Sequence, residues 1–233
     1  MPESPWASFD CYGTLVDWRA GIAGAIERLA PGRSGELLPL YYRHEASVQA
    51  QRFRPYREVL SESLRRAAAE AGVRLGAGAD RSLPESLPDW PVFPDVEPAL
   101  SALRERGWRL AVLSNTDSDL FAATRQRLPV AIDAVVTAED VSAYKPAAAH
   151  FRRFRELYRP APQVHVAQSF FHDIGPAHRL GIPAVWINRL DEREEAGVAA
   201  ATLPDLKALP ATLERLLEQE EAQARAGDHE RDR

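Results

Sequence analysis

The chain has 233 residues, of which 45% are apolar and 27% are charged, as in soluble globular proteins of one or two domains. The single cysteine excludes a disulfide framework, the first residues (MPESPW) lack a signal-peptide pattern, and no segment is long and apolar enough to span a bilayer. The net charge of -5 comes without a basic stripe that would favour nucleic-acid binding. We therefore expect a cytoplasmic protein without nucleic-acid or membrane partners.

Short apolar segments typical of buried strands alternate with segments of helical spacing along much of the chain. The predicted strands are residues 5–10, 108–115, 131–137, 164–168 and 183–188. The predicted helices are residues 96–103, preceded by Asp95 as N-cap, and residues 120–128, 151–157 and 174–180. This alternation predicts an α/β fold, with a Rossmann-like parallel sheet core and helices on both faces. Ligands of such sheets bind at the carboxyl ends of the strands.

Residues 17–75 interrupt the alternation, because Ala, Leu, Arg and Glu dominate there and the spacing is helical. We interpret this segment as part of a helical cap inserted after the first strand. The proline-rich stretch 82–98 is predicted to be an extended, stiff connector that returns the chain to the sheet. The predicted boundaries are 1–16 and 95–233 for the core and 17–94 for the cap, with a disordered tail over about residues 221–233.

Polar residues cluster in four places that would meet at the carboxyl edge of the sheet. A strand-terminal carboxylate such as Asp10 can act as a nucleophile, and a cation such as Lys145 would hold it ionised. Simpler interpretations exist, since Asp10 and Thr14 can form a turn and an isolated lysine is usually solvated. Ser114 and Asn115 can donate hydrogen bonds to an anion or begin a helix. The four clusters are residues 10–14, 114–115, 145–146 and 168–173.

In order and spacing, and with a helical insertion after the first, these clusters resemble the four motifs of the haloacid dehalogenase superfamily. The first cluster, DCYGTL, is most similar to that of the L-2-haloacid dehalogenases. The resemblance implies that Asp10 is the nucleophile, that Lys145 and Asp173 are catalytic, and that Arg43 in YYRHE contacts the halogen. The substrate-binding residues that it implies are Tyr12, Thr14, Ser114, Asn115, Tyr56, Gln168, Ser169 and His172. Without the resemblance, Arg43 would be an exposed helix arginine and Tyr56 a core aromatic.

Two differences from the phosphatases of this superfamily bear on the reaction. Tyr12 stands where those enzymes have the acid that protonates the leaving group, and Gln168 stands where they have a magnesium-binding aspartate. General acid catalysis contributes about 10²–10⁴-fold to such reactions, but a halide leaves without a proton. A neutral amide is also a weak ligand for a hard divalent cation. The resemblance therefore predicts a site without a metal ion or another cofactor.

The predicted reaction is the conversion of short (S)-2-haloacids to (R)-2-hydroxy acids through an ester on Asp10. A phosphatase or other small-molecule hydrolase with an atypical motif is one alternative, and a non-catalytic ligand-binding protein is another. Phe151, Phe170 and His172 depart from the dehalogenase pattern, so the sequence does not name the substrate. His172 could line the pocket, act as a base beside Asp173 or be exposed. The sequence also leaves a homodimer open.

Overall fold

Six parallel strands form the centre of the protein, in the spatial order β3-β2-β1-β4-β5-β6. The structure, a computed structural model, describes residues 4–159, 162–193 and 196–231. The strands are β1 (Trp6–Phe9), β2 (Arg109–Ser114), β3 (Ala134–Thr137), β4 (Gln163–Ala167), β5 (Ala184–Ile187) and β6 (Ala201–Leu203). The first five confirm the predicted strands. The sixth is a short, half-buried edge strand without the apolar run that would announce it in the sequence.

The sheet separates two apolar layers, because successive side chains of a strand point to opposite faces. In β2, Leu110 and Val112 belong to one layer, and Ala111 and Leu113 belong to the other. The first layer also contains residues of the helical insertion, such as Ile22. The insertion and this face of the sheet therefore share one continuous apolar cluster.

Four helices that follow β1 correspond to the predicted cap. They are α1 (Trp18–Leu29), α2 (Ser34–Gln49), α3 (Tyr56–Glu70) and α4 (Ala79–Ser86). The Asp17 side chain caps α1 by accepting a hydrogen bond from Ala20 N (3.0 Å). Residues of α1, α2 and α3 line one cavity together with Asp10 and Asn115, which follow the ends of β1 and β2.

The proline-rich stretch that was predicted to be extended is mostly helical, so that prediction was wrong. Pro84 lies inside α4, and a 3₁₀ turn over Leu87–Asp89 follows it. Leu83 and Leu87 are fully buried. Burial of two leucines contributes about 1.5–3 kcal/mol each, enough to offset the roughly 3 kcal/mol that a proline costs inside a helix. Farther on, Val92 pairs with Val16 in an isolated β-bridge.

Six helices follow the cap, and those near residues 96–103, 120–128, 151–157 and 174–180 confirm the predicted ones. They are α5 (Val96–Glu105), α6 (Ser118–Arg125), α7 (Ala138–Val141), α8 (Ala149–Tyr158), α9 (Gly175–Arg179) and α10 (Leu209–Arg231). A π-helical turn, Phe170–Ile174, precedes α9. No helix in the described ranges is long and apolar enough to cross a membrane.

Two predictions about helix ends have different outcomes. Asp95 precedes α5 as predicted, but its carboxylate does not cap the helix. It accepts hydrogen bonds from Arg189 Nη2 (2.8 Å) and Leu206 N (2.7 Å), because these distant groups fold against it. Helix α10 reaches into the tail that was predicted to be disordered. Residues 232 and 233 of that tail lie outside the described residues.

The connections of the sheet place a crevice between β1 and β4. From β1 the chain continues to β2 and β3 on one side, whereas β5 and β6 follow β4 on the other side. Ligands of open parallel sheets bind at such a change of direction. Asp10 follows β1 and Asp173 follows β4, so both carboxylates border this crevice.

Candidate active site

Asp10 is a buried carboxylate held from two sides, with 7% of its surface exposed. Its Oδ1 accepts a hydrogen bond from Lys145 Nζ (2.8 Å), and its Oδ2 accepts one from Thr14 Oγ1 (3.0 Å). Burial raises the pKa of Asp10 above its ordinary value, while the Lys145 ammonium favours the carboxylate form. Asp10 lines a cavity below the cap. It is therefore a poorly solvated carboxylate in a fixed orientation, as a nucleophile requires.

Lys145 lies in the loop before α8 and is almost completely buried. Its Nζ donates to Asp10 Oδ1 (2.8 Å), Asp173 Oδ1 (2.6 Å) and the backbone oxygen of Leu113 (2.8 Å). Burial lowers the pKa of Lys145, but the two carboxylates outweigh burial and raise it overall. The cluster thus holds one ammonium between two carboxylates, with an excess of negative charge.

Ser114 is the last residue of β2 and Asn115 follows it, but their side chains have different surroundings. Asn115 Oδ1 accepts a hydrogen bond from Lys145 N (2.7 Å), and Nδ2 donates to Lys145 O (3.1 Å). Asn115 thereby fixes the backbone that carries Lys145, and it also lines the cavity. Ser114 is fully buried, its Oγ has no hydrogen-bond partner in the described part of the chain, and it does not line the cavity.

Thr14 links the loops after β1 and β4. Its Oγ1 donates to Asp10 Oδ2 and accepts a hydrogen bond from Gln168 N (2.9 Å). The loop after β1 can approach the loop after β4 this closely because residue 13 is glycine, with φ of 108°. A Cβ at Gly13 would lie 3.0 Å from Gln168 Oε1 and 3.2 Å from Trp18 Nε1. The first motif therefore needs its glycine for both backbone conformation and space.

Tyr12 lines the cavity, but its hydroxyl is hydrogen-bonded to a residue outside the cavity lining. The hydroxyl forms a hydrogen bond with Thr124 Oγ1 (2.9 Å), and the ring packs edge-on against Trp90 with centroids 5.8 Å apart. Burial raises the pKa of the Tyr12 phenol well above its ordinary value. A weaker acid with an occupied hydroxyl is poorly suited to protonate a leaving group beside Asp10.

Asp173 lies in the π-helical turn after β4, a type of turn that often occurs at functional sites. Its Oδ1 accepts hydrogen bonds from Lys145 Nζ (2.6 Å) and His165 Nε2 (3.0 Å). Although burial alone would raise the pKa of Asp173, Lys145 and His165 lower it to about 2. Oδ2 is buried and has no partner among the described residues. Asp173 is thus an ionised carboxylate with one uncommitted oxygen.

The turn after β4 also brings Gln168, Ser169 and His172 to the cavity wall. Ser169 Oγ accepts a hydrogen bond from His172 N (3.1 Å) and forms another with His172 Nδ1 (3.0 Å). Burial lowers the pKa of His172, which favours the neutral imidazole. The structure thus places His172 in the cavity wall and not in bulk solvent, which leaves two of the three interpretations, a pocket-lining residue and a base beside Asp173.

The cap contributes one face of α2 to a cavity of about 1080 Å³. The residues of this face are Tyr42, Glu45, Ala46 and Gln49. Their spacing of three and four residues keeps them on one side of the helix, and Arg43 projects away from that side. Arg43 is exposed and forms an ion pair with Glu70 (2.5 Å). The structure therefore does not bring Arg43 to the cavity. The prediction was wrong because the motif YYRHE indicates the position of Arg43 in the chain but not the helical face on which it lies.

Arg19 of α1 is a cap cation that lines the cavity, and the sequence analysis missed it. Its guanidinium lies over the rings of Trp18 (5.4 Å) and Tyr42 (5.5 Å). No carboxylate in the described ranges lies within ion-pair distance of it. The charge of Arg19 is therefore available to an anionic ligand. Its proximity in sequence to the first motif is the signal that could have indicated this position.

Tyr56 lines the cavity and is buried, and its partner there was also missed. The Tyr56 hydroxyl donates to Glu45 Oε1 (2.8 Å). Burial raises the pKa of Glu45 to about 7. Its spacing from Tyr42 on α2 could have indicated that this acid faces inward.

His165, which contacts Asp173, is a further residue that the sequence analysis missed. It lies in the middle of the apolar run VHVAQ and is completely buried. A histidine in such a run is a visible signal, but its partners come from residues distant in sequence. Phe151, one of the departures noted above, is buried beside it rather than at the cavity, with ring centroids 4.9 Å apart.

Comparisons with known proteins agree with this geometry. (S)-2-haloacid dehalogenase 1 of Pseudomonas sp. (strain CBS-3) is 26% identical over 219 residues, which cover 89% of this chain and 96% of that protein. The (S)-2-haloacid dehalogenase of Pseudomonas sp. (strain YL) is 26% identical over 194 residues, covering 78% and 82%. The solved structure of the L-2-haloacid dehalogenase RSc1362 has a TM-score of 0.82 at 26% identity and covers 91% of this chain and all of its own.

These homologues are 2-haloacid dehalogenases by name. The family model described as haloacid dehalogenase-like hydrolase matches residues 7–167, which is more than half of the sequence. The chain therefore belongs to the haloacid dehalogenase-like hydrolases.

Proposed function

We propose that this protein is a metal-independent hydrolase that converts short (S)-2-haloacids to (R)-2-hydroxy acids. The observation that carries the proposal is the buried Asp10, held by Lys145 and Thr14, together with an Asp173 oxygen that has no partner among the described residues. The names of the homologues from the two Pseudomonas strains support the substrate class. Tyr12 and Gln168 support a reaction that needs neither a proton donor nor a carboxylate-bound metal ion.

In the first step, an Asp10 oxygen attacks C2 of the haloacid from the side opposite the halogen. A carbon-oxygen bond forms, the carbon-halogen bond breaks, and the halide leaves with the bonding electrons. Attack from the opposite side inverts C2, and an ester joins Asp10 to the acid. Burial of Asp10 removes the water that would otherwise shield the attacking oxygen.

In the second step, water attacks the carbonyl carbon of the ester, and Asp173 Oδ2 accepts a proton from that water. Lys145 Nζ and Thr14 Oγ1 already donate to the Asp10 oxygens, so they stabilise the negative charge that develops there. The bond between the carbonyl carbon and the alkyl oxygen then breaks. The proton returns from Asp173 to the departing 2-hydroxy acid. Asp10 is left as a carboxylic acid, and loss of its proton to solvent restores the carboxylate.

The substrate contacts follow from the residues that border the cavity. Asn115 Nδ2 has a second hydrogen that is free for the departing halide, since only one is needed for Lys145 O. We propose that Arg19, rather than Arg43, supplies the cap cation for the anionic substrate. The rings of Tyr12, Tyr56 and Phe170 enclose the remaining carbon skeleton.

Exchanging the two arginines for alanine tests this assignment. Arg19→Ala should raise KM for (S)-2-chloropropionate by roughly 10- to 100-fold, because a hydrogen bond to a charged group contributes about 1.5–3 kcal/mol. Arg43→Ala is the matched control and should change KM by less than about twofold, because its pair with Glu70 is exposed. Steady-state kinetics of both variants decide the matter, and the reverse ranking would restore Arg43 to the site.

Glu45, the buried acid of α2, leads us to expect that substrate binding depends on pH. The pKa of Glu45 is raised to about 7, so its carboxylate appears as the pH rises through neutrality. A second negative charge near the bound anion should then raise KM on the order of tenfold. Glu45→Gln should abolish this rise, whereas the exposed Glu58→Gln should retain it. Measurement of KM from about pH 6 to about pH 8 tests the assignment of Glu45, and a rise that persists in Glu45→Gln would contradict it.

The two alternative functions make different demands on the site. A phosphatase would need an acid near the leaving group, but the Tyr12 hydroxyl is bonded to Thr124. A protein that only binds ligands would have no use for two buried carboxylates on one lysine, because such a cluster costs desolvation energy.

One experiment separates the three functions. Chloride release from (S)- and (R)-2-chloropropionate and phosphate release from a generic phosphate ester are measured with and without EDTA. We expect chloride release from the (S) enantiomer, (R)-lactate as product, and no effect of EDTA. Phosphate release that requires magnesium, without chloride release, would refute the proposal. No turnover of any of these compounds would favour a ligand-binding protein.

A further inference from the structure

A chain of buried polar side chains reaches the Asp173 carboxylate. It begins at Gln163, passes through Ser8 and ends at His165, whose ring contacts the Asp173 carboxylate. His165 is on the face of β4 opposite to that of Val164 and Val166, and it is completely buried. None of these residues lines the cavity. Any part that they play in the reaction must therefore pass through Asp173.

The direction of the hydrogen bonds fixes the form of the His165 ring. The ionised Asp173 carboxylate can only accept, so the proton between them belongs to His165 Nε2 (3.0 Å). His165 Nδ1 lies 3.0 Å from Ser8 Oγ, which is closer than the 3.4 Å between Ser8 Oγ and Val164 O. Gln163 Nε2 donates to Ser8 Oγ (3.2 Å), which leaves the Ser8 hydrogen for Nδ1. Every donor in the chain thus points towards Asp173.

This arrangement decides which Asp173 oxygen is left without a hydrogen bond in the described part of the chain. Lys145 alone could serve either oxygen if the carboxylate rotated. With His165 donating from a second direction, both donors converge on Oδ1, and Oδ2 keeps no partner among the described residues. An unpaired buried oxygen costs about 1–3 kcal/mol, and a group that binds to Oδ2 during the reaction would offset this cost.

We propose that His165 is a positioning residue that holds Asp173 with Oδ2 turned to the water that hydrolyses the ester on Asp10. The proposal rests on the function proposed above and adds a residue to its second step. Packing alone does not require a histidine at this position. An apolar side chain would fill the space beside Phe151 without the desolvation that an imidazole must offset through Ser8 and Gln163.

The proposal predicts unequal effects on the two steps. Loss of the His165 donor leaves the Asp10 contacts with Lys145 and Thr14 in place, so attack on the haloacid continues. Asp173 becomes free to rotate, and a misdirected base loses part of the 10²–10⁴-fold that general base catalysis contributes. Hydrolysis of the ester should therefore slow by roughly 10- to 100-fold, and the ester should accumulate.

The pH profile of ester hydrolysis gives an independent readout. The titratable groups that face His165 or Asp173 in the described ranges are Asp10, Lys145, His150 and His172. A substitution of His165 leaves all four of these titratable residues in the protein. The His165 N–H stabilises the charged form of Asp173, so its removal raises the pKa of that carboxyl. The acidic limb of the profile should therefore move to higher pH.

The test compares His165→Leu, His165→Gln and the exposed control His178→Leu in single-turnover reactions with (S)-2-chloropropionate. Chloride release, 2-hydroxy acid release and the mass of the peptide containing Asp10 are followed, with thermal unfolding as a check of folding. His165→Leu should release chloride normally but retain the ester. His165→Gln keeps an N–H donor and should recover part of the rate, and His178→Leu should match the wild type. Ser8→Ala, which frees the ring from its fixed form, provides a milder second variant.

Each other outcome counts against the proposal in a distinguishable way. Ester hydrolysis at the wild-type rate in His165→Leu and Ser8→Ala would overturn the role of His165 and leave the dehalogenase function standing. Equal slowing of both steps in His165→Leu and His165→Gln, without a shifted acidic limb, would indicate a purely structural residue. Absence of chloride release from the wild type would overturn the proposed function and this inference with it.

Discussion

Replacing Asp10 with asparagine should lower chloride release from (S)-2-chloropropionate by on the order of 10⁴-fold or more, because the amide is a far poorer nucleophile than the carboxylate. The hydrogen bonds from Lys145 and Thr14 orient this group but cannot replace its charge. The matched control is Asp89→Asn, which removes an exposed carboxylate paired with the exposed Arg127. It should retain wild-type activity. Chloride release at a comparable rate in both variants would exclude Asp10 as the nucleophile.

Turnover in water labelled with heavy oxygen identifies the atom that attacks. If Asp10 forms an ester and water attacks its carbonyl carbon, the labelled oxygen enters the Asp10 carboxylate during the first turnover. The first 2-hydroxy acid then carries an unlabelled oxygen from the enzyme. Mass spectrometry of the peptide containing Asp10 measures this directly. Label found only in the first product would mean that water attacks the haloacid itself.

Lys145→Met should cost about 3–5 kcal/mol of unfolding free energy near neutral pH, because it leaves two buried carboxylates without their cation. Halide release should also fail, because Asp10 then prefers its protonated form. The matched control is Lys207→Met, which replaces the only other lysine of the sequence. Lys207 is exposed and pairs with Asp205, so its loss should leave stability almost unchanged.

The same variant should reverse the dependence of stability on pH. In the wild type, the pKa of Asp173 is lowered to about 2, so its contribution is present above the unfolded pKa of about 3.9 and is lost as the pH falls towards 2. Without Lys145, the coupled carboxylates have a folded pKa above the unfolded value. Their contribution is then present at low pH and is lost as the pH rises through that raised pKa.

Urea unfolding of wild type and Lys145→Met from about pH 4 to about pH 7 measures this reversal. We expect the difference in unfolding free energy between them to be small at the acidic end and largest at the neutral end. A difference that stays constant over this range would show that Lys145 does not keep the two carboxylates ionised. Activity of the variant near that of the wild type would contradict its assigned role at Asp10.

Local patterns were sufficient to predict five strands of the sheet and the helical segment after the first of them. Five strands appear in the sequence as apolar runs between helical segments, because a strand buried on both faces must be apolar along its length. The sixth strand could not be predicted, because an edge strand of three half-buried residues carries no such run. The proline-rich stretch was misassigned, because the burial of Leu83 and Leu87 depends on neighbours that local propensity does not include.

The sequence by itself determined the family and the α/β architecture, and it predicted Asp10, Lys145 and Asp173 as site residues, because motif spacing and strand ends are local properties. Only the tertiary structure decided that Arg19 and Glu45 face the cavity while Arg43 faces solvent. It also joined His165 to Asp173. The reason is physical: helical face, burial and hydrogen-bond direction depend on groups that are distant in sequence and meet only after folding.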